Sequence, residues 1–311
     1  MSQAMNLAQP DLLADAGAHS ATLVLALEHP GPDGVRVAAG VRAVAEEVAA
    51  LDPSAWLGCT VAFGAHLFGA ADIGPAPDGL RAFEPVAGAT RSAPATGGDL
   101  LFHVHADRRD LVFELLLRIR ARFQATARVL EEVHGFTYLD SRDLTGFIDG
   151  TENPGPEDRA GAALVSGGDH AGGSFVLVQR YVHDLAGWSA LAVGDQERAI
   201  GRTKPDSQEL ADDVRPADSH ISRVVIEEDG EELEIWRKSF PYGTTGELGL
   251  LFIAYARSLA IFDAMLARIF GTDETDETDG SGVHDRLMDF SRPVSGAYFF
   301  APSQARLAAL A

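Results

Sequence analysis

The stretch DLLFHVHA at residues 99–106 decides the fold, because it recurs as GLLFIAYA at residues 249–256. Leu116 follows the first copy at the same distance as Leu266 follows the second, so the offset is 150 residues throughout (266 − 116). Such a repeat predicts two structurally similar halves. Each copy predicts a buried strand that leads into a long helix.

The elements around the first copy are predicted in the order strand, helix, strand, strand, helix, strand. The predicted strands are residues 21–27, 58–65, 100–106 and 136–139, and the predicted helices are residues 35–51 and 107–134. Asp107 is a suitable N-cap for the second helix, and Gly135 is a suitable residue to end it. This order is that of a ferredoxin-like unit.

The second half repeats the order. Its predicted elements are a strand at 174–182, a helix capped by Asp184 and reaching about residue 198, a strand pair at 223–226 and 233–236, a strand at 250–256, a helix at 258–270 and a strand at 298–300. The sequence therefore predicts an α+β fold of two ferredoxin-like halves, residues 1–140 and 141–311, with antiparallel sheets and packed helices. A crevice is expected at the seam, and crevices between domains are favoured ligand sites.

The composition is that of a globular protein with an acidic surface. The 311-residue chain is 46% hydrophobic and has a formal net charge of −21, so it repels nucleic acid and anionic membranes. The single cysteine, Cys59, excludes an intrachain disulfide or a Cys-rich metal centre and is expected to be buried. No segment approaches the ~20 apolar residues of a membrane span. The N-terminal segment lacks a basic secretory region, so a cytoplasmic protein is predicted.

The seam contains GFIDGTENP, residues 146–154, with Asp149 between apolar residues and a glycine turn. Asp-Gly and Asn-Pro also form ordinary surface turns. Because Phe147 and Ile148 favour burial, the Asp149 carboxyl is expected to be partly desolvated. Desolvation raises the pKa of a carboxyl group and suits it to proton transfer near neutral pH. The glycines of the segment would let the backbone pass close to a flat ligand.

Two further side chains stand at the ends of predicted strands. His220 leads into a predicted strand at 221–226, where its imidazole could point at a cofactor, although a lone histidine is more often a surface or core residue. Arg237 follows the predicted strand at 233–236. As a permanent cation it could stabilise negative charge on a bound ligand, or it could be an ordinary surface arginine.

Other ionisable groups are assigned to structural roles. His103 and His105 share one face of a predicted strand, but no third metal ligand with suitable spacing accompanies them. They are therefore expected to be core residues. The acidic run at residues 273–280 lacks the alternate-residue spacing of an EF-hand loop, and it predicts a solvated loop.

Taken together, these segments resemble the dye-decolourising peroxidases, and the chain is most similar to their bacterial B-type group. The resemblance covers nearly the whole chain. It rests on residues 146–154, on His220, on Arg237 ahead of FPYG at 240–243, and on SRPVSGAYFFAPS at 291–303. It implies two ferredoxin-like halves with heme b bound in the C-terminal half near the seam.

The resemblance also implies roles for individual residues. Asp149 matches the distal acid of the family, Arg237 its distal arginine, and His220 the proximal ligand of the heme iron. Arg202 is the expected partner of a heme propionate, and Gly150 is expected in the cofactor site.

An acidic residue is expected behind His220, where it would make the imidazole more basic. Asp285 is the predicted partner, and Asp289, four residues later on a predicted helix, is the alternative. Ser239 departs from the family pattern, since related sequences often have asparagine two residues after the distal arginine, here Arg237. Serine offers no amide, and Ser239 is expected to hold a distal water less firmly at the catalytic site.

The predicted function is that of a heme b peroxidase that reduces H2O2 to water through a ferryl intermediate and oxidises small reductants. Dyes, phenols, Mn²⁺ and a protein partner all remain open as reductants. A homo-oligomer is expected, with no nucleic-acid or membrane partner. The alternatives are a heme-handling or heme-sensing protein with incidental peroxidase activity, and a cofactor-free two-domain binding module.

Overall fold

The computed structural model of the chain describes residues 7–71, 73–228, 230–273 and 282–311. Apart from its first residue, the acidic run at 273–280 lies outside these residues. The strands are β1 (His19–Leu27), β2 (Leu57–Phe63), β3 (Val86–Ala87), β4 (Ser92–Ala93), β5 (Leu100–Ala106), β6 (Ala127–Phe136), β7 (Ser174–His183), β8 (Glu227–Glu228), β9 (Glu231–Glu232), β10 (Trp236–Arg237), β11 (Phe240–Gly243), β12 (Leu248–Ala256), β13 (Ser291–Pro293) and β14 (Ala297–Ala301).

The helices lie mainly between these strands and cover the sheet. They are α1 (Pro10–Leu13), α2 (Pro32–Ala39), α3 (Val41–Ala49), α4 (Ala65–Ala70), α5 (Arg109–Phe123), α6 (Arg159–Ala163), α7 (Leu185–Ala190), α8 (Val193–Ile200), α9 (His220–Val224), α10 (Leu259–Phe270) and α11 (Gln304–Leu310), with 3₁₀ turns at Gly168–His170 and Arg286–Asp289. Within the described residues, none of the helices has the length and apolar character needed to cross a membrane.

Antiparallel strands of both halves close into a barrel. In the first half β6, β1, β5 and β2 lie side by side, and in the second half β14, β7, β12 and β11 do so. Numbered along the chain, each set has the order 4-1-3-2 of a βαββαβ unit. The sets join where Tyr242 of β11 pairs with Gly135 of β6 and where Phe300 of β14 pairs with Phe63 of β2. The predicted α+β class is confirmed.

Two apolar layers form because successive residues of a strand point to opposite faces of the sheet. Inside the barrel, Val24 of β1 and Ile253 of β12 belong to one buried cluster. On the outer face, Leu23 belongs to a second cluster with Leu115 of α5. Cys59 is buried in this outer cluster, as predicted, and burial raises the pKa of its thiol.

The long helix of the first half is shorter than the sequence predicts. α5 ends at Phe123 and β6 follows, so the prediction of helix to residue 134 is wrong. Gly135 lies in β6, where a Cβ atom would come within 2.4 Å of the Cβ atom of Phe240. Its glycine serves the close approach of β6 and β11 rather than a helix end. Asp107 is not the N-cap either, because α5 begins at Arg109 and its N-cap is Arg108. The Asp107 carboxylate instead accepts the backbone N–H of Trp56 at 2.9 Å.

The second half departs from prediction at two helices. Asp184 caps α7 as predicted by accepting the backbone N–H of Gly187, but the predicted single helix is two, α7 and α8. The strand predicted after His220 is also wrong, because α9 begins there. Ser219 caps α9 by accepting the backbone N–H of Ser222, and α9 packs on α10. This cap and the packing outweigh the strand preference of the β-branched residues in the segment.

His103 and His105 are core residues, as predicted. Both are fully buried, and burial lowers the pKa of each imidazole well below its ordinary value. Nδ1 of His103 lies 2.8 Å from the Tyr255 hydroxyl, and Nε2 of His105 lies 2.9 Å from Nζ of Lys238. These contacts satisfy one ring nitrogen of each histidine, whereas Nδ1 of His105 has no hydrogen-bond partner among the described residues.

Candidate active site

The second half contains a cavity between its sheet and its helices. The cavity opens to solvent, and its space free of protein atoms is about 1410 Å³ when the open solvent at its mouth is included. Most of its lining residues are apolar, namely Phe147, Ile148, Leu177, Ile200, Ile221, Val224, Val225, Leu233, Ile235, Leu250, Phe252, Phe262, Met265, Leu266, Ile269, Leu287 and Met288. Apolar walls with a few polar groups are typical of a cofactor or substrate site.

Asp149 is carried into the cavity wall by a loop that folds back on itself. The backbone N–H of Asp149 donates to the carbonyl of Ser141 at 3.0 Å, and that of Asp143 donates to the carbonyl of Phe147 at 2.9 Å. Gly146 has a φ of +91°, a conformation that favours glycine. The loop thus buries Phe147 in the protein and places Asp149 at the cavity.

The surroundings of Asp149 change the pKa of its carboxyl group. Burial raises its pKa above the ordinary value for aspartate, and the positive charge of Arg237 opposes that rise. Oδ1 accepts the backbone N–H of Gly150 at 2.7 Å and lies 3.9 Å from Nη1 of Arg237. A carboxyl group with a raised pKa can accept and return a proton closer to neutral pH.

Arg237 is tied to the segment that carries Asp149. It lies on β10, and its backbone N–H donates to Oδ1 of Asn153 at 3.0 Å. Nδ2 of Asn153 donates in turn to the carbonyl of Arg237, also at 3.0 Å. Asn153 therefore holds the strand of the arginine against the loop of the acid. In the sequence, Asn153 is marked only by its amide side chain within the GFIDGTENP segment, which does not reveal this role.

His220, the first residue of α9, faces the same cavity. Its Nδ1 lies 2.6 Å from Oδ2 of Asp285, whose side chain is fully buried. Oδ1 of Asp285 accepts the backbone N–H of Leu287 at 2.8 Å, which orients the carboxylate. Asp289 instead pairs with Arg91 at 2.7 Å. Asp285 is thus the acid that contacts His220, and Nε2 is the ring nitrogen left to act as a ligand.

Arg202 and Gly150 also line the cavity. The guanidinium of Arg202 donates to Glu152, to Glu209 and to the carbonyl of Ser207. Its Nε is buried and has no hydrogen-bond partner among the described residues. Arg202 therefore presents a partly satisfied cation at the cavity wall, next to carboxylates that another anion could replace.

Ser239 lies outside this cavity. It lines a second cavity, which shares Asp149, Gly150 and Arg237 with the first. Its Oγ is buried without a hydrogen-bond partner in the described part of the chain. The structure therefore brings Asp149, Arg237 and His220 to one cavity, whereas Ser239 borders only the neighbouring space.

Two further polar residues of the cavity wall are not predicted from the sequence. Asp143 and His183 both line the cavity, and Nε2 of His183 lies 3.1 Å from Oδ1 of Asp143. The signal for both was weak. Asp143 stands in a turn-like stretch before Gly146, and His183 stands at the end of a predicted strand, where a polar residue is ordinary.

Sequence models of one protein family match both halves of the chain. The model described as Dyp-type peroxidase, N-terminal, matches residues 10–137. The model described as Dyp-type peroxidase, C-terminal, matches residues 140–306. Together the two matches span most of the sequence.

Known proteins of similar sequence or structure have related names. The chain is 42% identical over 257 residues to the dye-decolorizing peroxidase of Mycobacterium tuberculosis, a match that covers 81% of this chain and 75% of that protein. It is similar to the structure of a dye-decolorizing protein from V. cholerae, with a TM-score of 0.91, 42% identity, and coverage of 97% of this chain and 99% of that chain. It is also similar to a variant of DypB from Rhodococcus jostii RHA1 in complex with heme, with a TM-score of 0.89, 39% identity, and coverage of 96% and 97%.

Proposed function

The chain belongs to the Dyp-type peroxidase family, and from that membership we propose that it binds heme b, reduces H2O2 to water and oxidises dyes, phenols or similar small reductants. The observation that carries the proposal is that His220, Asp149 and Arg237 line one cavity. A proximal ligand, a proton carrier and a fixed cation are the protein groups that peroxide reduction at a heme requires.

The cavity residues fit a heme. The extensive apolar lining suits a porphyrin, and Nε2 of His220 is free of the bond that Asp285 makes to Nδ1. Arg202, whose buried Nε has no partner among the described residues, would bind a propionate, and Gly150 would let the backbone pass close to the ring. The bound heme would supply an iron at which peroxide is reduced.

Asp149 and Arg237 would handle the proton and the charge. Oδ1 of Asp149 is engaged by the backbone N–H of Gly150, which leaves Oδ2 to take a proton from one oxygen of H2O2 and return it to the departing oxygen. Arg237 would stabilise the negative charge that develops on the peroxide oxygens. Ser239 remains a catalytic candidate, because its hydroxyl, which has no partner among the described residues, would bind water in the cavity next to this pair.

Asp285 would act through His220. Its buried carboxylate accepts the Nδ1–H bond and so makes Nε2 a more basic ligand. The same bond fixes the tautomer of the ring. The backbone N–H of Leu287 holds the carboxylate in place, so that the imidazole keeps one orientation.

We also propose the organisation expected from the sequence. Residues 1–140 would form an N-terminal ferredoxin-like half. Residues 141–311 would form a C-terminal ferredoxin-like half that binds heme near the seam. Similar strand orders in the two halves support this division. The cytoplasmic location and the homo-oligomer rest on the sequence and on the family resemblance.

Substitution of the distal pair tests the proposed function. In heme-loaded protein, Asp149→Ala and Arg237→Leu together are expected to lower the rate of reaction with H2O2 by at least about 100-fold, while the heme absorption band remains. Stopped-flow absorption spectroscopy measures this rate. The matched control is His134→Asn, which removes a histidine paired with Glu132 outside the cavity and should leave the rate unchanged.

The rate of reaction with peroxide and the rate of heme loss together separate a peroxidase from a heme-handling protein. A double variant that reacts with peroxide as fast as the parent protein would contradict the catalytic roles of Asp149 and Arg237. A parent protein that reacts slowly and loses its heme quickly to an apoprotein acceptor would favour the heme-handling alternative.

A further inference from the structure

The loop that carries Asp149 is anchored at Asp143. Oδ2 of Asp143 accepts the backbone N–H of Thr145 at 2.9 Å and the hydroxyl of Thr145 at 2.6 Å. Oδ1 lies 3.1 Å from Nε2 of His183. Although burial alone would raise the pKa of Asp143, the bonds from His183 and Thr145 lower it overall, so Asp143 is a buried carboxylate ion.

His183 connects this carboxylate to the neighbouring strands β7 and β13 of the sheet. Its side chain is 4% exposed, and its Nδ1 lies 2.9 Å from the hydroxyl of Ser291. His183 lies on β7, and Ser291 lies on β13, which pairs with β7 at these two residues. Both ring nitrogens of His183 therefore lie within hydrogen-bond distance of a partner, one on the loop and one on the sheet.

We propose that Asp143, His183 and Ser291 form a brace that holds the Asp149 loop against the sheet, with His183 as the positioning residue that joins loop and sheet. Only the effect of this brace on catalysis rests on the proposed function. The brace itself consists of contacts within the protein.

Through Asp143, the brace also contributes one of the charges near Asp149. Burial raises the pKa of Asp149, and the nearby Asp143 carboxylate raises it further. Arg237 on β10 and His220 on α9 act in the opposite direction. Because the negative charge of Asp143 raises the pKa of Asp149, removal of that charge should lower this pKa and make Asp149 a stronger acid. Loss of His183 should free the loop, admit water to Asp149 and shift its pKa in the same direction.

The test measures the titration of Asp149 in heme-free protein. Carboxyl carbons are labelled with [4-¹³C]aspartate, and the Asp149 signal is identified by its loss in Asp149→Asn. We expect Asp143→Asn to lower the pKa of Asp149 by about one unit, and His183→Phe to lower it as well. His134→Asn removes another histidine–carboxylate pair, outside the cavity, and should leave the titration unchanged.

A second readout separates positioning from charge. Hydrogen exchange of the amide of Asp149, which donates to Ser141, should become at least about tenfold faster in His183→Phe but not in the control. Ser291→Ala removes only the far contact of the brace and should produce a smaller change of the same sign. It keeps the test informative should His183→Phe fail to fold.

Unchanged Asp149 titration and amide exchange in Asp143→Asn and in the folded His183 or Ser291 variant would overturn the brace. Because these readouts need neither heme nor peroxide, they do not depend on the proposed peroxidase activity. In heme-loaded protein, the pH profile of the peroxide reaction should move to lower pH in Asp143→Asn by the shift seen in the heme-free titration. A profile that stays in place would refute the catalytic consequence of the brace.

Discussion

The two halves of the molecule use equivalent positions for opposite purposes. In the first half α5 packs directly on the sheet, and its inner face is buried in the core at Val112, Leu115, Leu116 and Ile119. In the second half, α10 carries the residues 150 positions later, namely Phe262, Met265, Leu266 and Ile269. The first three are also buried, but all four line the cavity. One repeated pattern therefore forms a closed core in one half and one wall of a cavity in the other.

The difference lies in what covers each sheet. In the first half, α3 packs against both α5 and β2 and closes the layer. In the second half the corresponding cover consists of the short helices α7, α8 and α9, and a cavity remains between α9, α10 and the sheet. Apolar wall exposed to water costs about 25 cal/mol per Å². A flat apolar cofactor would cover this wall and remove that cost. It would then occupy the position that the covering helix has in the first half.

The largest effect is expected where the proposed cofactor would be bound directly. His220→Ala removes the only imidazole that both faces this cavity and contacts Asp285 in the described part of the chain. We expect the heme absorption band to weaken and shift, and the heme to leave at least about tenfold faster, because the iron loses its protein ligand. Transfer of heme to an apoprotein acceptor measures the rate. If His220→Ala retained heme as long as the control His134→Asn does, His220 would not be the ligand of the heme iron.

A matched pair of substitutions tests the comparison between the halves. Leu115→Ala should lower the free energy of unfolding by about 2–5 kcal/mol, because it leaves a void in a packed core. Met265→Ala, at the equivalent position (265 − 115 = 150), should cost less than about 2 kcal/mol in heme-free protein, because its side chain already borders open space. Urea unfolding measures both. Equal losses would mean that the second half is as closely packed as the first.

The smallest effect concerns pH. Because burial raises the pKa of Asp149 and proton uptake requires its ionised form, the rate of reaction with H2O2 should rise with pH through a midpoint above the ordinary aspartate value of about 3.9. Below the midpoint the rate should fall about tenfold per pH unit. Stopped-flow measurements from pH 4 to 8 test this. A profile that is flat over this range, or that is identical in Asp149→Asn, would contradict the role of Asp149.

The sequence predicts the repeated architecture because strand and helix patterns are local. The same local reading fails where tertiary contacts decide. Gly135 has the properties of a helix end, yet it serves the contact between β6 and β11. The segment after His220 is rich in β-branched residues, yet Ser219 caps a helix there and α10 supports it.

The residues of the site also divide into those that are distinctive in the sequence and those that tertiary contacts reveal. Asp149, Arg237 and His220 are distinctive in sequence, and all three line the cavity. The supporting residues are not distinctive, because Asn153 and His183 act through partners more than 35 residues away, Arg237 (237 − 153 = 84) and Asp143 (183 − 143 = 40). Such pairs become visible only when the fold brings the strands and loops together.

The most direct test is the visible absorption spectrum of heme-supplemented protein before and after one equivalent of H2O2. The central claim is that the cavity of the second half joins a heme ligand, His220, to a peroxide-cleaving pair, Asp149 and Arg237. It predicts a ferric Soret band that changes promptly on addition of peroxide, and a slower change in the Asp149→Ala, Arg237→Leu variant. A Soret band that ignores peroxide would contradict the catalytic pair, and the absence of a Soret band would contradict the cofactor site itself.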